Sequence, residues 1–264
     1  MPPEGPAGRG GVFQQAIPQV RSTMISFPLN GTRPAQGACA DCGVKSRAVC
    51  AGLAPEEAGI LATIMTTITL APNQLLFEQG DPRSRVYTLT SGMLRLSVSL
   101  PDGRRQIAGF VTPGDYLGLS GEDVHTQAAE AVTACRLCSF PAPEMNRLMD
   151  QHPRLRDRLH ELTRKALLEA RGHLLMLGRL TPNEKLARFL LALSDRAAEN
   201  GQAATPIALP MTRTDIADYL GLTIETVSRS FSALRTRGLI HLADAHRVEI
   251  ADRAGLAVLA GLPS

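Results

Sequence analysis

The segment MTRTDIADYLGLTIETVSRSFSALRTRGLI, residues 211–240, decides the fold of the C-terminal third of the chain. Thr212 can cap the N-terminus of a first helix, and Asp215 follows three residues later in the position of a capping box. Gly221 supplies a tight turn, and Thr223 can cap a second helix. The segment therefore predicts two short helices joined by a tight turn.

The second of these helices has a buried face and a polar face. Val227, Phe231 and Leu234 recur at helical spacing and form the buried face. The residues predicted to contact DNA lie on the outer face or near the helix ends: Thr223, Glu225, Thr226, Ser228, Arg229 and Arg235. Arginine can donate two hydrogen bonds to guanine, and glutamate can accept one from cytosine. The layout is that of a helix-turn-helix, whose second helix enters the major groove.

The alternative interpretation is an ordinary helical hairpin with a charged, solvated face. Residues 181–264 contain nine Lys and Arg against nine Asp and Glu, so this region has no general basic field. If it binds double-stranded DNA, specific contacts must contribute more than bulk electrostatics.

Length and composition predict a soluble, cytoplasmic chain with two domains. The 264 residues suffice for two cores, and the net charge of +3 is mild. No apolar run approaches the ~18 residues of a membrane span, and the N-terminus lacks the basic-then-apolar order of a secretory signal. Five cysteines are an odd number. In a reducing compartment, clustered cysteines bind metal or carry out redox chemistry more often than they form disulfides.

Residues 68–141 have the pattern of an antiparallel β domain. Short alternating segments are separated by turn signals at roughly ten-residue intervals, which is typical of a barrel or jelly roll. MLRLSVSL followed by PDGRRQIAGFV, residues 93–111, is the clearest hairpin. A helix is predicted from Leu53 to Met65, and residues 1–37, rich in proline and glycine, predict a flexible arm.

A long amphipathic helix is predicted from Pro153 to Leu180, followed by a helix over residues 183–198 and a hairpin over 239–250. One apolar stripe runs along the long helix: Leu155, Leu159, Leu162, Ala166, Ala170, Leu174 and Leu177. The stripe could pack on its own domain. Because the helix joins two domains, part of the stripe has no obvious partner within the chain, and a homodimer seam is the other possibility.

With these features in place, the sequence resembles the CRP/FNR superfamily of bacterial transcription regulators, and in particular its FNR branch. The resemblance rests on LGLTIETVSRSFSALRTRGLI, on TPGDYLGL at residues 112–119, and on the long helix between them. It implies that Glu225, Ser228 and Arg229 contact a TTGAT half-site of a palindrome. It also implies a homodimer and a contact with RNA polymerase, for which loops 101–105 and 113–116 are candidates.

The expected fold class is α+β, with an N-terminal antiparallel β-barrel or jelly-roll sensory domain, a long dimerisation helix and a C-terminal winged helix-turn-helix domain. The predicted divisions are a flexible arm over 1–37, a cysteine loop plus a cyclic-nucleotide-binding-like barrel over 38–150, the dimerisation helix over 151–181, and the DNA-binding domain over 182–264.

Three of the five cysteines lie in CADCGVKSRAVC, residues 39–50. Cys39, Cys42 and Cys50 are spaced as C-x2-C-x7-C, and soft thiolates suit iron-sulfur clusters. Three ligands do not complete a cubane, so a fourth must come from Cys135 or Cys138. Residues three apart on a strand point to opposite faces, and Cys138 shares its face with the polar Arg136. This favours Cys138.

The resemblance implies the same ligand set for an oxygen-labile [4Fe-4S] cluster, with Cys138 at the start of the family's Cys-x-x-Pro segment. The trio has a spacing similar to that of FnrN- and FnrL-like members of the branch. Zinc bound by four thiolates, a thiol oxidoreductase using Cys135 and Cys138, and a disulfide within the trio are the alternatives.

Cyclic nucleotide is not expected as a ligand. By the resemblance, cyclic-nucleotide-binding members hold the phosphate with an Arg-Ser pair, and His125 and Thr126 occupy those places here. A glutamate expected after YLG is replaced by Leu119 and Ser120. The leading hypothesis is thus an oxygen-responsive regulator that dimerises on DNA when its cluster is intact. The alternative is a constitutively dimeric regulator whose cysteines are structural or redox-sensing.

Overall fold

The computed structural model describes residues 39, 42–54, 57–119 and 122–262. The predicted flexible arm, residues 1–37, lies outside the described residues, as does Ser120. Of the helices in the described part, none combines the length and the apolar composition that crossing a bilayer requires.

The N-terminal half is a β-sandwich of two four-stranded sheets. Its strands, in chain order, are β1 Thr66–Leu70, β2 Leu75–Phe77, β3 Arg85–Ser91, β4 Leu94–Ser99, β5 Arg105–Val111, β6 Tyr116–Leu117, β7 Ala128–Ala131 and β8 Cys135–Pro141. One sheet has the order β1-β8-β3-β6 and the other β2-β7-β4-β5, with antiparallel pairing. Leu89, Leu94 and Leu137 are buried in the core that the two sheets share.

Helices and a short turn flank this sandwich. They are a 3₁₀ turn at Val49–Gly52, α1 Ala58–Ile64, α2 Ala142–Gln151 and α3 Pro153–Arg179. The α1 helix begins later than predicted, because the backbone of Leu53 is extended. The α3 helix has 27 residues and therefore spans about 40 Å.

The C-terminal domain, residues 182–262, is a winged helix-turn-helix. Its elements are α4 Pro182–Glu199, β9 Ile207–Ala208, α5 Arg213–Leu220, α6 Ile224–Thr236, β10 Ile240–Asp244, β11 Arg247–Ile250 and α7 Arg253–Leu259. The small sheet has the order β10-β11-β9 and forms the wing. Leu190 of α4, Ile216 of α5 and Phe231 of α6 share one core, so the three helices form a single packed unit. The predicted α+β fold class is confirmed, as is the β4–β5 hairpin.

One contact between the C-terminal domain and the β-sandwich is made by α5. Arg105 of β5 pairs with Asp218 at 2.7 Å and with Asp215 at 3.1 Å. Arg95 of β4 lies 3.3 Å from Asp215 and 2.6 Å from Glu130 of β7. These side chains form an ion-pair network, with Asp215 only 2% exposed at its centre. The network holds α5 against the β4–β5 hairpin.

Candidate functional sites

The turn between α5 and α6 is fixed by local hydrogen bonds. The hydroxyl of Thr212 accepts from the N–H of Asp215 at 3.1 Å, and the Asp215 carboxylate accepts from the N–H of Thr212 at 3.0 Å. Gly221 has φ 61° and ψ 45°, the left-handed conformation that glycine adopts most easily. Thr223 then caps α6 by accepting from the N–H of Thr226 at 3.2 Å.

The first turns of α6 present three exposed polar side chains. Glu225, Ser228 and Arg229 are exposed, while Val227 and Phe231 on the opposite side are buried in the domain core. Hydrogen bonds from its own N–H and from Thr223 lower the pKa of Glu225, which keeps it charged and able to accept a hydrogen bond. Such a face can place a hydrogen-bond acceptor, Glu225, and a bidentate donor, Arg229, against base edges in a major groove.

Cationic side chains extend this surface. Arg235 and Arg237 are exposed at the far end of α6 and suit phosphates. Arg213, at the start of α5, is half-buried and lies behind this surface, where its guanidinium stacks on the ring of Phe231, 3.6 Å from the ring centroid, on the buried side of α6. The two residues lie 18 positions apart in sequence, so helical periodicity did not indicate the contact.

The second site is a cavity of about 290 Å³ between residues 39–50 and the outer face of β8. Four of its lining residues are cysteines: Cys39, Cys42, Cys50 and Cys138. Lys45 and Arg136 line the same cavity. The structure thus brings the trio and one strand cysteine to a common space.

The two strand cysteines lie on opposite faces of β8. Cys138 is half-buried and opens into the cavity, on the same side as exposed Arg136. Cys135 is 4% exposed and belongs to the core of the sandwich, where its Sγ lies 3.2 Å from the carbonyl oxygens of Met93 and Thr133. Cys135 therefore does not share a space with the trio.

The cavity raises the proton affinity of its thiols. Burial, reinforced by the charge of the neighbouring thiolates, raises the pKa of Cys50 to about 11 and the pKa of Cys138 to about 12. Burial also raises the pKa of Cys39, and the positive charge of Lys45 opposes that change. Without a bound cation these three groups are thiols at neutral pH, so loading a metal centre must release protons.

The donor set fits an iron-sulfur cluster. All four candidate ligands are soft sulfur donors, and a cubane distributes four thiolates over four irons. Lys45 and Arg136 can balance part of the negative charge of such a centre. Across the described ranges, three or more His, Cys, Asp or Glu side chains are nowhere grouped to hold a single metal ion.

The cysteine loop, which we define as residues 42–52, packs on α3. Val44, Ala48 and Val49 are buried, and the N–H of Ala48 donates to the carbonyl of Val44 at 2.9 Å. A Cβ on Gly52 would lie 2.7 Å from Cβ of Arg158, which shows how closely the two backbones approach. The loop that carries Cys42 and Cys50 is therefore in direct contact with the long helix.

The predicted stripe on α3 divides into parts with different surroundings. Leu155 and Leu159 are buried in their own chain, beside the cysteine loop and α2, which corrects the predicted seam at those two positions. Leu162 is partly buried there as well. Ala166 and Ala170 line a second cavity, of about 590 Å³, towards β5 and α4.

Further along α3, an apolar face is open to solvent. Leu174 is 70% exposed and Leu168 is 61% exposed. The leucines that share this exposure are Leu167, Leu168, Leu174 and Leu175, defined here as the leucine face. Leu177 packs instead against Gly221. Leu174 is the one residue that the predicted dimer seam and the leucine face have in common.

Comparisons with known proteins agree with this architecture. Residues 67–152 match the cyclic nucleotide-binding domain, and residues 184–259 match the Crp-like helix-turn-helix domain. The nitrogen fixation regulation protein FixK of Bradyrhizobium diazoefficiens is 39% identical over 202 residues, which cover 76% of this chain and 85% of the relative. The transcriptional activator protein FnrL of Cereibacter sphaeroides is 36% identical over 227 residues, covering 84% and 92%.

A solved structure of FixK2 from Bradyrhizobium japonicum has the same fold. It superposes with a TM-score of 0.71 at 33% identity and covers 76% of this chain and 100% of the other. The sandwich, the long helix and the C-terminal domain thus have a counterpart in a solved structure.

Proposed function

The chain belongs to the CRP/FNR family of transcription regulators, and we propose that it is an oxygen-responsive member that controls anaerobic or microaerobic genes as a homodimer with a [4Fe-4S] cluster. It binds DNA and regulates transcription rather than catalysing a reaction. The observation that carries the oxygen response is the convergence of four thiols, from the cysteine segment and from β8, on one cavity.

We propose that α6 is the recognition helix and contacts a TTGAT half-site. Glu225, Ser228 and Arg229 support this role, because they are exposed together on the first turns of a helix whose opposite face is buried. Thr223 and Thr226 form the N-terminal cap and suit the adjacent phosphate or base edge. Two copies in a two-fold dimer would contact half-sites about one helical turn apart.

In this proposal Cys39, Cys42, Cys50 and Cys138 hold the cluster. When bound, the cluster supplies an oxygen-labile centre. A cluster held by these four residues would join the N-terminal cysteine segment to β8, and the cysteine loop packs against α3 beside Arg158. Without that link the cysteine loop would lose one of its attachments and would be held less firmly against α3. The loop and α3 thus form the two-state element that the sensor biases.

The dimer seam in this proposal is the leucine face of α3 together with the neighbouring part of the helix. Four large apolar side chains exposed on one helix form a patch that a second copy can cover. The seam begins after the section that packs on the cysteine loop, so the loop supports the same helix that carries the leucine face. This arrangement makes dimerisation sensitive to the state of the loop.

Activation further requires a contact with RNA polymerase. The tip of the β4–β5 hairpin is a candidate, because Leu100 is exposed and Arg104 is 76% exposed. In the other predicted loop, Asp115 pairs with Arg196 of α4 at 2.7 Å. That pairing makes residues 113–116 less accessible to a partner than the hairpin tip.

Anaerobic purification tests the proposal. The expected protein is brown, contains iron and acid-labile sulfide, and loses its visible absorbance in air together with its dimeric state and its affinity for a TTGAT palindrome. Iron-free protein that retains its affinity in air would refute it. Zinc without sulfide in a colourless protein would identify the alternative metal.

Matched cysteine variants sharpen the test. Cys138→Ser should abolish iron and sulfide binding, because it removes the ligand on the open face of β8. Cys135→Ser should leave both unchanged, because that side chain lies in the sandwich core. The reverse result would place the ligand on the other face of the strand.

A constitutively dimeric regulator with cluster-free cysteines is the second candidate. The exposure of the leucine face favours it, since four exposed leucines could stabilise a dimer without help from the cysteine loop. Colourless protein that remains dimeric and binds DNA in air would support this candidate.

A further inference from the structure

The cysteine loop also touches the DNA-binding domain itself. Arg47 lies between Cys42 and Cys50, and its Nη1 donates to the backbone carbonyl of Glu199. Glu199 is the last residue of α4. The carbonyls of the three residues before it accept from Asn200 and the backbone that follows, whereas the carbonyl of Glu199 accepts from Arg47. A guanidinium at this position is favoured by both the free acceptor and the negative end of the helix dipole.

Arg47 is held on the opposite side by the long helix. Arg158 of α3 donates to the backbone carbonyl of Arg47 and, at 3.4 Å, to that of Ala48. The Arg47 side chain also passes Gly114, where an added Cβ would lie 3.4 Å from Cβ of Arg47. The position of the guanidinium therefore depends on the conformation of the cysteine loop.

Other charged contacts meet at the same end of α4. Arg196 pairs with Asp115 of the sandwich at 2.7 Å and with Glu169 of α3 at 3.0 Å. Lys165 of α3 lies 3.7 Å from the carboxylate of Glu199. The C-terminal end of α4 is thus where the sandwich, the long helix and the cysteine loop all contact the DNA-binding domain.

We propose that Arg47 is a positioning residue that transmits the state of the cysteine loop to the DNA-binding domain through the end of α4. The inference rests on the proposed function, since it requires a loop whose order depends on cysteine ligation. It adds a route that does not pass through the dimer seam. With the loop ordered, Arg47 holds the end of α4 against the cysteine loop, and the core shared by α4 and α6 links that contact to the recognition helix.

Arg47 is half-buried, and the hydrogen bond from its Nη1 to Glu199 lies at the surface. Its Nε is buried and has no hydrogen-bond partner among the described residues. Leaving a buried donor unpaired is unfavourable, so Nε does not itself stabilise this position of the side chain.

The test measures operator affinity in the full-length chain. Anaerobic wild type, Arg47→Ala and Arg47→Lys are compared on a TTGAT palindrome, with iron, sulfide and oligomeric state recorded for each. Arg47→Ala should keep the cluster and the dimer yet bind about fivefold or more weakly. Arg47→Lys should be intermediate, because it keeps one donor. Arg147→Ala, which removes an exposed arginine of α2, is the control for bulk charge.

Introducing Arg47→Ala into the Cys138→Ser variant completes a double-mutant thermodynamic cycle. In that background Arg47→Ala should change affinity by less than about twofold, because the loop is already released. The inference is overturned if Arg47→Ala binds like wild type, if it weakens both backgrounds equally, or if it lowers the iron content. A reduced dependence of affinity on salt would instead make Arg47 a phosphate contact. If anaerobic wild-type protein contains no iron, the proposed function itself is refuted. The iron assay therefore distinguishes failure of the proposed function from failure of the inference about Arg47.

Discussion

Asp215→Ala should destabilise the C-terminal domain by about 3 kcal/mol. Asp215 lies neither on the proposed DNA-contacting face of α6 nor in the cysteine cavity. Its carboxylate is buried and pairs with Arg95 at 3.3 Å and Arg105 at 3.1 Å. It also caps α5 through the N–H and the hydroxyl of Thr212. Removing one partner of a buried ion pair costs about 3–5 kcal/mol, and losing a helix cap costs about 1 kcal/mol.

The remaining partners reduce this cost. After the substitution Arg95 still has Glu130 at 2.6 Å, and Arg105 still has Asp218 at 2.7 Å. Neither guanidinium is left as an uncompensated buried charge, so we expect a total near the lower limit rather than the sum. Asp218→Ala is the matched control. It removes a more exposed carboxylate from the same network and should cost about 1 kcal/mol or less.

Hydrogen exchange of the α5 and α6 amides measures the stability of this domain alone. That matters because a chain with two cores does not necessarily unfold in one step. A loss of about 3 kcal/mol increases exchange by globally opening amides roughly a hundredfold. If Asp215→Ala and Asp218→Ala accelerate exchange equally, the central position of Asp215 in the network contributes no extra stability, and the reasoning fails.

Three further predictions concern the dimer seam on α3, the recognition of DNA bases by Arg229, and the dependence of stability on pH. Leu168→Glu should convert the dimer to a folded monomer, because this side chain is exposed on the leucine face. Leu155→Ala should instead lower the free energy of unfolding by about 2–5 kcal/mol, because Leu155 is buried. Analytical ultracentrifugation measures the first effect and urea unfolding the second. Arg229→Ala should cost about 1–3 kcal/mol at its cognate base pair and relax specificity there, and equal weakening on all duplexes would instead indicate a phosphate contact. Burial lowers the pKa of His173, whose Nε2 lies 3.0 Å from the carbonyl oxygen of Tyr219, so the folded chain favours the neutral ring. This stability is complete above a pH of about 6.5 and decreases as the pH falls below it. Urea unfolding of His173→Gln should show a flatter pH dependence, and an unchanged profile would contradict the assignment.

Features set by neighbouring residues were predicted correctly from the sequence. The starts of α5 and α6 follow from Thr212 and Thr223, because a cap is determined within three residues of the helix start. The two-residue alternation of β8 likewise indicated that Cys138 and Cys135 face opposite ways. In both cases the physical cause lies within a few positions along the chain.

Features set by distant parts of the chain were not predicted. Periodicity identified an apolar stripe on α3, but it does not show what covers each section of that stripe. The cysteine loop and α2 cover Leu155, while Leu174 stays exposed. The pair between Arg95 and Asp215 joins residues 120 positions apart, and no local pattern marks either of them. The same is true of the contact from Arg47 to Glu199.

Under the proposed function, the distribution of these long-range contacts gives the sandwich a route to regulate DNA binding while the proposed recognition helix stays uncovered. The sandwich and the cysteine loop contact α5 and the end of α4, whereas the first turns of α6 stay exposed. Because α4, α5 and α6 share one core, we expect a displacement at α4 or α5 to move α6 with it. A dimer must present two such helices about one DNA turn apart. A change in the angle of each domain therefore suffices to prevent simultaneous contact with both half-sites, even where the dimer seam remains intact.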